Sequence, residues 1–93
     1  MAYYSTIKDN TLTYFVSDNF DRDIVPSLKK ELQKKLKRNK KLKIVLDLSA
    51  VKYMDTAALA FIIFMKSNFS QNFEIQNISN EIMHIFKLEK IEK

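Results

Sequence analysis

The stretch IVLDLSAVKYMDTAALAFII, Ile44 to Ile63, decides the fold because its hydrophobic period changes across a single polar pair. Ile44, Val45 and Leu46 in succession read as a strand buried on both faces, which belongs at the centre of a sheet, and the predicted strand runs from Leu42 to Leu48. Val51 and Met54 read as a strand end or turn. Asp55-Thr56 then precede nine residues, Ala57 to Met65, that carry neither charge nor hydroxyl. That segment predicts a helix from about Thr56 to Ser67 with no evident water-facing side.

On the N-terminal side, Ala2 to Lys8 and Thr11 to Ser17 are rich in β-branched and aromatic residues, and Asp9-Asn10 between them suits a two-residue hairpin turn. After Ser17 the period lengthens. Ile24, Leu28, Leu32 and Leu36 recur every four residues with Lys between them, which predicts an amphipathic helix of about sixteen residues. Asp21 is its expected N-cap, Phe20 and Val25 its expected staple, and Pro26 falls in its first turn. On the C-terminal side, Asn72 to Gln76 alternates as a half-buried strand does. Asn80 to Lys87 follows as a helix with an Ile82, Ile85, Phe86 stripe.

Two β-to-α-to-β crossovers after a hairpin imply parallel pairing with right-handed connections. The expected fold class is therefore α/β: a mixed sheet of about four strands with an N-terminal hairpin and about three helices, mainly on one face. Residues 1–93 are expected to form one domain, since a chain of this length buries only about 60–65% of its unfolded surface and can sustain one core.

Composition narrows the chemistry. At 46% hydrophobic with seven Phe and four Tyr, the chain is globular rather than disordered. It has no Cys, so thiolate chemistry and Cys-ligated metals are excluded. With no Gly, neither a P-loop nor a dinucleotide fingerprint can be built. Asn must supply the positive φ that Gly usually provides, and Asn10, Asn39, Asn68 and Asn77 fall where turns are wanted. The N-terminus lacks the plan of a secretory signal, and the longest apolar run is too short to cross a bilayer, so the expected location is cytoplasmic.

The formal charge of +5 is uneven: nine Lys and Arg and one acid, Glu31, lie between Lys29 and Lys43. Such a run reads as a solvated helix face or as a contact for anions, with Lys34, Lys35, Lys37 and Arg38 as the candidate contacts to an anionic membrane surface. No aromatic residue interleaves it, so stacking on nucleic-acid bases has no platform there, and no nucleic-acid partner is expected.

Catalysis finds no constellation. His84 is the only His and has no carboxylate cluster around it in sequence. Asp18, Asp21 and Asp23 resemble half a calcium loop without its Gly or its closing Glu. We expect no enzyme, no metal and no cofactor.

Asp55 and Thr56 stand where the first N–H groups of a helix lack partners. Either side chain can cap them, for about 1 kcal/mol. A hydroxyl there can also carry a phosphate, whose charge the helix N-terminus tolerates and a docked partner would not. Of the following helix, Leu59, Ile62 and Ile63 are expected to face the sheet. Ala57, Phe61, Phe64 and Met65 are expected to point elsewhere, toward another helix or a partner.

The same residues resemble the signature of the STAS domain, the fold shared by anti-sigma-factor antagonists and the cytoplasmic tails of sulfate transporters. In that family a buried strand ending in Asp-Leu-Ser leads, through a Val and a short turn, to Asp-Ser/Thr-small-Gly-Leu at a helix start. Asp47-Leu48-Ser49, Val51 and Asp55-Thr56-Ala57-Ala58-Leu59 match in order and spacing, and the flanking elements extend the resemblance over nearly the whole chain. Thr at the switch position, the short length and the tail are most similar to the small STAS subunit of the ABC transporter that moves phospholipid and maintains outer-membrane lipid asymmetry. The resemblance implies a regulatory subunit docked on the transporter's ATPase, peripheral to the inner membrane. Its alternative is an anti-sigma-factor antagonist switched when an anti-sigma factor kinase phosphorylates Thr56. Thr56 inherits the family's hydroxyl position and Asp55 the preceding acid, with Ala57, Ala58, Phe61, Phe64 and Met65 completing the expected partner surface. Two departures stand out: Ala58 replaces the family's Gly, and the chain stops where longer STAS domains add a further element.

Overall fold

In the computed structural model, which describes residues 2–85, the element order is β1 (Tyr3–Lys8), β2 (Thr11–Phe20), α1 (Val25–Arg38), β3 (Lys43–Met54), α2 (Thr56–Phe69), β4 (Phe73–Gln76) and α3 (Asn80–Ile85). The strands form one sheet in the order β1-β2-β3-β4, antiparallel between β1 and β2 and parallel elsewhere. This is the expected mixed sheet with its hairpin. Asp9 and Asn10 take φ of 50° and 64°, the left-handed pair that a two-residue hairpin turn requires and that Gly would otherwise supply. Asp18 and Asn77 also adopt positive φ, whereas Asn39 is extended at −148° and Asn68 lies inside α2.

One face of the sheet carries the core. Leu12 and Tyr14 of β2 register with Ile44 and Leu46 of β3, and these with Phe73 and Ile75 of β4. Leu28 and Leu32 of α1, Ala58, Phe61, Ile62 and Met65 of α2, and Ile82 of α3 close over them in one cluster. Each such Leu or Ile contributes about 1.5–3 kcal/mol by leaving water. On the opposite face Val45 and Asp47 of β3 are buried as well, as a central strand requires. There Tyr4 stacks on Phe15 at 4.9 Å, and Lys43 pairs with Glu74 at 3.2 Å.

The strand β3 runs six residues further than the predicted end at Leu48. Its register against β2 slips twice, between Phe15 and Ser17 and between Asp18 and Asn19, and each slip gives β3 one extra residue. Core-facing positions therefore change spacing from two to three: Ile44, Leu46, Leu48, then Val51, then Met54. These bulges disguise a continuous strand as a turn.

The helix α1 begins at Val25, with Pro26 in its first turn and no side-chain cap. Asp21 is not the N-cap. Its carbonyl accepts from Ile24 and Val25 and its side chain from the Asp23 amide, so it holds the turn leading into the helix. Within α1, Glu31 and Lys35 pair at 3.2 Å with the acid on the N-terminal side, the favourable order. For α3, Ile82 is buried as expected, while the Ile85 side chain, Phe86 and Lys87 lie outside the described residues.

Candidate functional site

Because β3 carries on to Met54, Asp55 is delivered directly from the strand to the start of α2 as its N-cap. Its Oδ1 accepts from the Ala58 amide at 3.0 Å, the bond expected of a capping acid. Its Oδ2 accepts from the Arg22 amide at 3.0 Å, and its own amide donates to the Phe20 carbonyl at 3.3 Å. One carboxylate thus ties α2 to the turn after β2. Partial burial pushes this carboxyl up, yet the amides of Ala58, Arg22 and Ala57, with the Arg22 guanidinium, hold it below the ordinary carboxylate range.

With the cap supplied by Asp55, the Thr56 hydroxyl is left over. Thr56 is exposed, and among the described residues it makes no side-chain hydrogen bond. It stands on a ridge between two hollows. Asp21, Arg22, Asp23, Tyr53 and Ala57 line the first; Lys52, Met54, Glu81 and Ile82 line the second. Asp21, Asp23 and Asp55 make the first hollow predominantly negative, which opposes a second anion on Thr56.

The apolar faces of α2 fall differently from the expected arrangement. Ala58, Phe61, Ile62 and Met65 are the buried stripe, at the i, i+3, i+4, i+7 spacing of a helix lying on a core. Three residues expected at a partner surface are therefore core: Ala58 is fully enclosed, Phe61 is 5% exposed with its edge toward Phe20, and Met65 is 1% exposed. The Ala58 methyl, being enclosed, cannot obstruct a partner. Conversely, Ile63, expected to face the sheet, is 43% exposed, and Leu59 is half-buried. Phe64 is 37% exposed, as anticipated, with the Lys29 ammonium 4.3 Å from its ring centroid. The outer stripe of α2 is thus Thr56, Ala60, Ile63, Phe64 and Ser67, without a charge, and exposed Tyr53 extends it past the helix start.

The basic candidates divide. Lys34, Lys37 and Arg38 are exposed. Lys35 instead turns toward the sheet, where its ammonium reaches Glu31, the Ser5 hydroxyl at 2.9 Å and the Tyr14 ring. The Tyr14 hydroxyl is buried without a hydrogen-bond partner, and burial, reinforced by Glu31, raises its pKa far above the usual phenol value. Asp47 and Asp55 belong to separate networks. The Asp47 carboxylate accepts from the Ser49 amide at 2.9 Å and from Asn77 Nδ2 at 3.0 Å, pinning β3 to the turn after β4. His84 is exposed on α3, and among the described residues no three His, Asp or Glu converge as a metal site would require.

Arg22, Tyr53, Lys52 and Glu81 escaped the sequence reading. Lys52 and Tyr53 end the strand just before Asp55, whereas Glu81 comes from α3 and Arg22 from the turn after β2, meeting Asp55 across 33 positions. Only the fold brings Arg22 and Glu81 to Thr56.

Comparison with known proteins bears on the family and the fold. A family model described as Mlab, STAS domain, matches residues 5–93. The fold is similar to that of the anti-sigma factor antagonist SpoIIAA in its unphosphorylated form, with a TM-score of 0.75 at 11% identity over 94% of this chain and 83% of that one. It is also similar to an anti-sigma factor antagonist from Mycobacterium paratuberculosis, with a TM-score of 0.73 at 18% identity, covering 96% of this chain and 80% of that one. No curated protein matches the sequence.

Proposed function

We propose, from the premise that this chain belongs to the MlaB-type STAS domain family, that it is a non-catalytic subunit docking on and regulating the cytoplasmic ATPase of a phospholipid-transporting ABC transporter. In this reading residues 1–93 act as one STAS domain, held near the inner membrane by the partner. One observation carries the contact. Thr56 presents a hydroxyl that makes no hydrogen bond among the described residues, at the start of an exposed helix stripe, Ala60, Ile63 and Phe64, that carries no charge. An apolar stripe with one polar anchor suits recognition.

The carboxylates beside Thr56 favour the bare hydroxyl over a phosphorylated one, because about two further negative charges would be set against Asp21, Asp23 and Asp55. That supports a constitutive contact rather than a kinase-operated switch. No helix among the described residues is long and apolar enough to cross a membrane.

Affinity purification of the tagged chain from its native cell, with the partners identified by mass spectrometry, tests the reading. Co-purification of an ATPase with its permease is expected, and capture of a sigma-regulating kinase without an ATPase would overturn it. Thr56→Ala should weaken capture without lowering the melting temperature, since Ala is the better helix former by roughly 0.5 kcal/mol. Thr56→Glu should abolish capture through its charge.

A further inference from the structure

At the end of α2 remote from Thr56 the molecule has a second surface that the proposed contact does not use. Between α1 and the end of α2 lies a groove of about 720 Å³. Leu36 and Phe69 form its floor, and Lys30, Lys34, Lys37 and Lys40 its rim. The four lysines follow from helix periodicity, spaced to project along one side of α1 and past its end. Both floor residues pack partly on the core and leave apolar surface at the base of the groove.

Charge and shape together select the occupant. Glu31, the acid of α1, is committed to Lys35 on the sheet side, and among the described residues no carboxylate pairs with the rim lysines. The rim therefore asks for anions. The floor asks for more than anions: a plane of lipid headgroups meeting the ammonium groups would span the groove and leave Leu36 and Phe69 uncovered, and nucleic-acid phosphates have nothing apolar to place there. A helix with an apolar stripe and flanking carboxylates satisfies both requirements.

We propose that this groove is a docking site for an acidic amphipathic helix of a partner protein, with an aliphatic or aromatic side chain seated on Leu36 and Phe69 and carboxylates against Lys30, Lys34, Lys37 and Lys40. The site lies about 20 Å from Thr56 along α2. It therefore stands or falls independently of the Thr56 contact.

The test uses the full chain and a fluorescent synthetic helix of about four turns, with Leu on one stripe and Glu elsewhere, read by anisotropy. A scrambled peptide of the same composition and vesicles of phosphatidylglycerol in phosphatidylcholine serve as alternatives. The amphipathic peptide should bind at least about tenfold more tightly than the scrambled one, because only it aligns apolar and acidic faces. Lys34→Glu with Lys37→Glu, both at exposed positions, should weaken that binding by about tenfold, and a peptide carrying Lys in place of Glu should restore it. Equal binding of both peptides, binding to vesicles but not to the peptide, absence of binding, or an unchanged affinity in the double variant would each overturn the proposal.

Discussion

Replacing Asp55 by Ala removes two hydrogen bonds that join separate parts of the chain to one carboxylate, to the Ala58 amide and to the Arg22 amide, each at 3.0 Å. Loss of an N-cap side chain costs about 1 kcal/mol. A hydrogen bond to a charged acceptor contributes about 1.5–3 kcal/mol when well shielded, and less at a half-buried position such as this one, so about 1 kcal/mol is assigned to Arg22. The sum is about 2 kcal/mol. For a domain of this size each kcal/mol moves the midpoint by about 4–8 °C, so Asp55→Ala should melt about 8–16 °C below the parent. Asp55→Asn separates the two terms. Asn caps a helix as well as Asp does, but its amide nitrogen cannot accept from Arg22, so it should fall about midway. Thermal unfolding followed by circular dichroism, with urea titrations as an independent measure, reads all three proteins. An Asp55→Ala midpoint within about 3 °C of the parent would refute the view that this carboxylate fastens α2 to the turn after β2.

Two further outcomes follow from the same structure. Asp47 and Asp55 both ionise more readily in the fold than free carboxyls do, as burial is outweighed by the amides of Ser49, with its hydroxyl and Asn77, in one case and of Ala58 and Arg22 in the other. As the pH falls the unfolded chain takes up these protons first, so their stabilisation is complete above about pH 5 and is lost as the pH drops through the folded-state values. Acid titration of the parent against Asp47→Asn and Asp55→Asn should show a shallower loss in each variant, and parallel curves would contradict the assignment. Phe61→Ala should cost about 3–5 kcal/mol, a large share of total stability, and lower the urea midpoint accordingly. A Phe61→Ala protein of parental stability that fails to bind its partner would instead return Phe61 to the docking surface.

The hairpin, the mixed sheet and α1 were legible because their hydrophobic periods are clean: two in β2, and near four at Leu28, Leu32 and Leu36. The extension of β3 was not, since two bulges turn its period into three at Val51 and Met54. Nor was the orientation of α2. A helix apolar on every side gives no sequence signal for its buried stripe, and the small Ala58 marks the close approach that the longer Leu59 and Ile63 do not make. The Asp55-Thr56 seam was legible as a cap next to a hydroxyl, but the division of labour between them depends on Arg22, which only the fold brings near. Likewise the run of lysines announced charge, while the inward turn of Lys35 and the arrival of Phe69 from another helix decide which of them share a groove.

Building left-handed turns from Asn instead of Gly also affects how the protein ages. Asparagine side chains are lost through attack by the following backbone nitrogen on the side-chain amide, a cyclisation fastest when Gly follows. Asn10 is followed by Thr11 and Asn77 by Ile78, both β-branched, and each side chain is held away by hydrogen bonds: Asn10 to the Lys41 carbonyl and Asn39, and Asn77 to Asp47. The absence of Gly that forces Asn into these turns also removes the neighbour that would make them chemically short-lived.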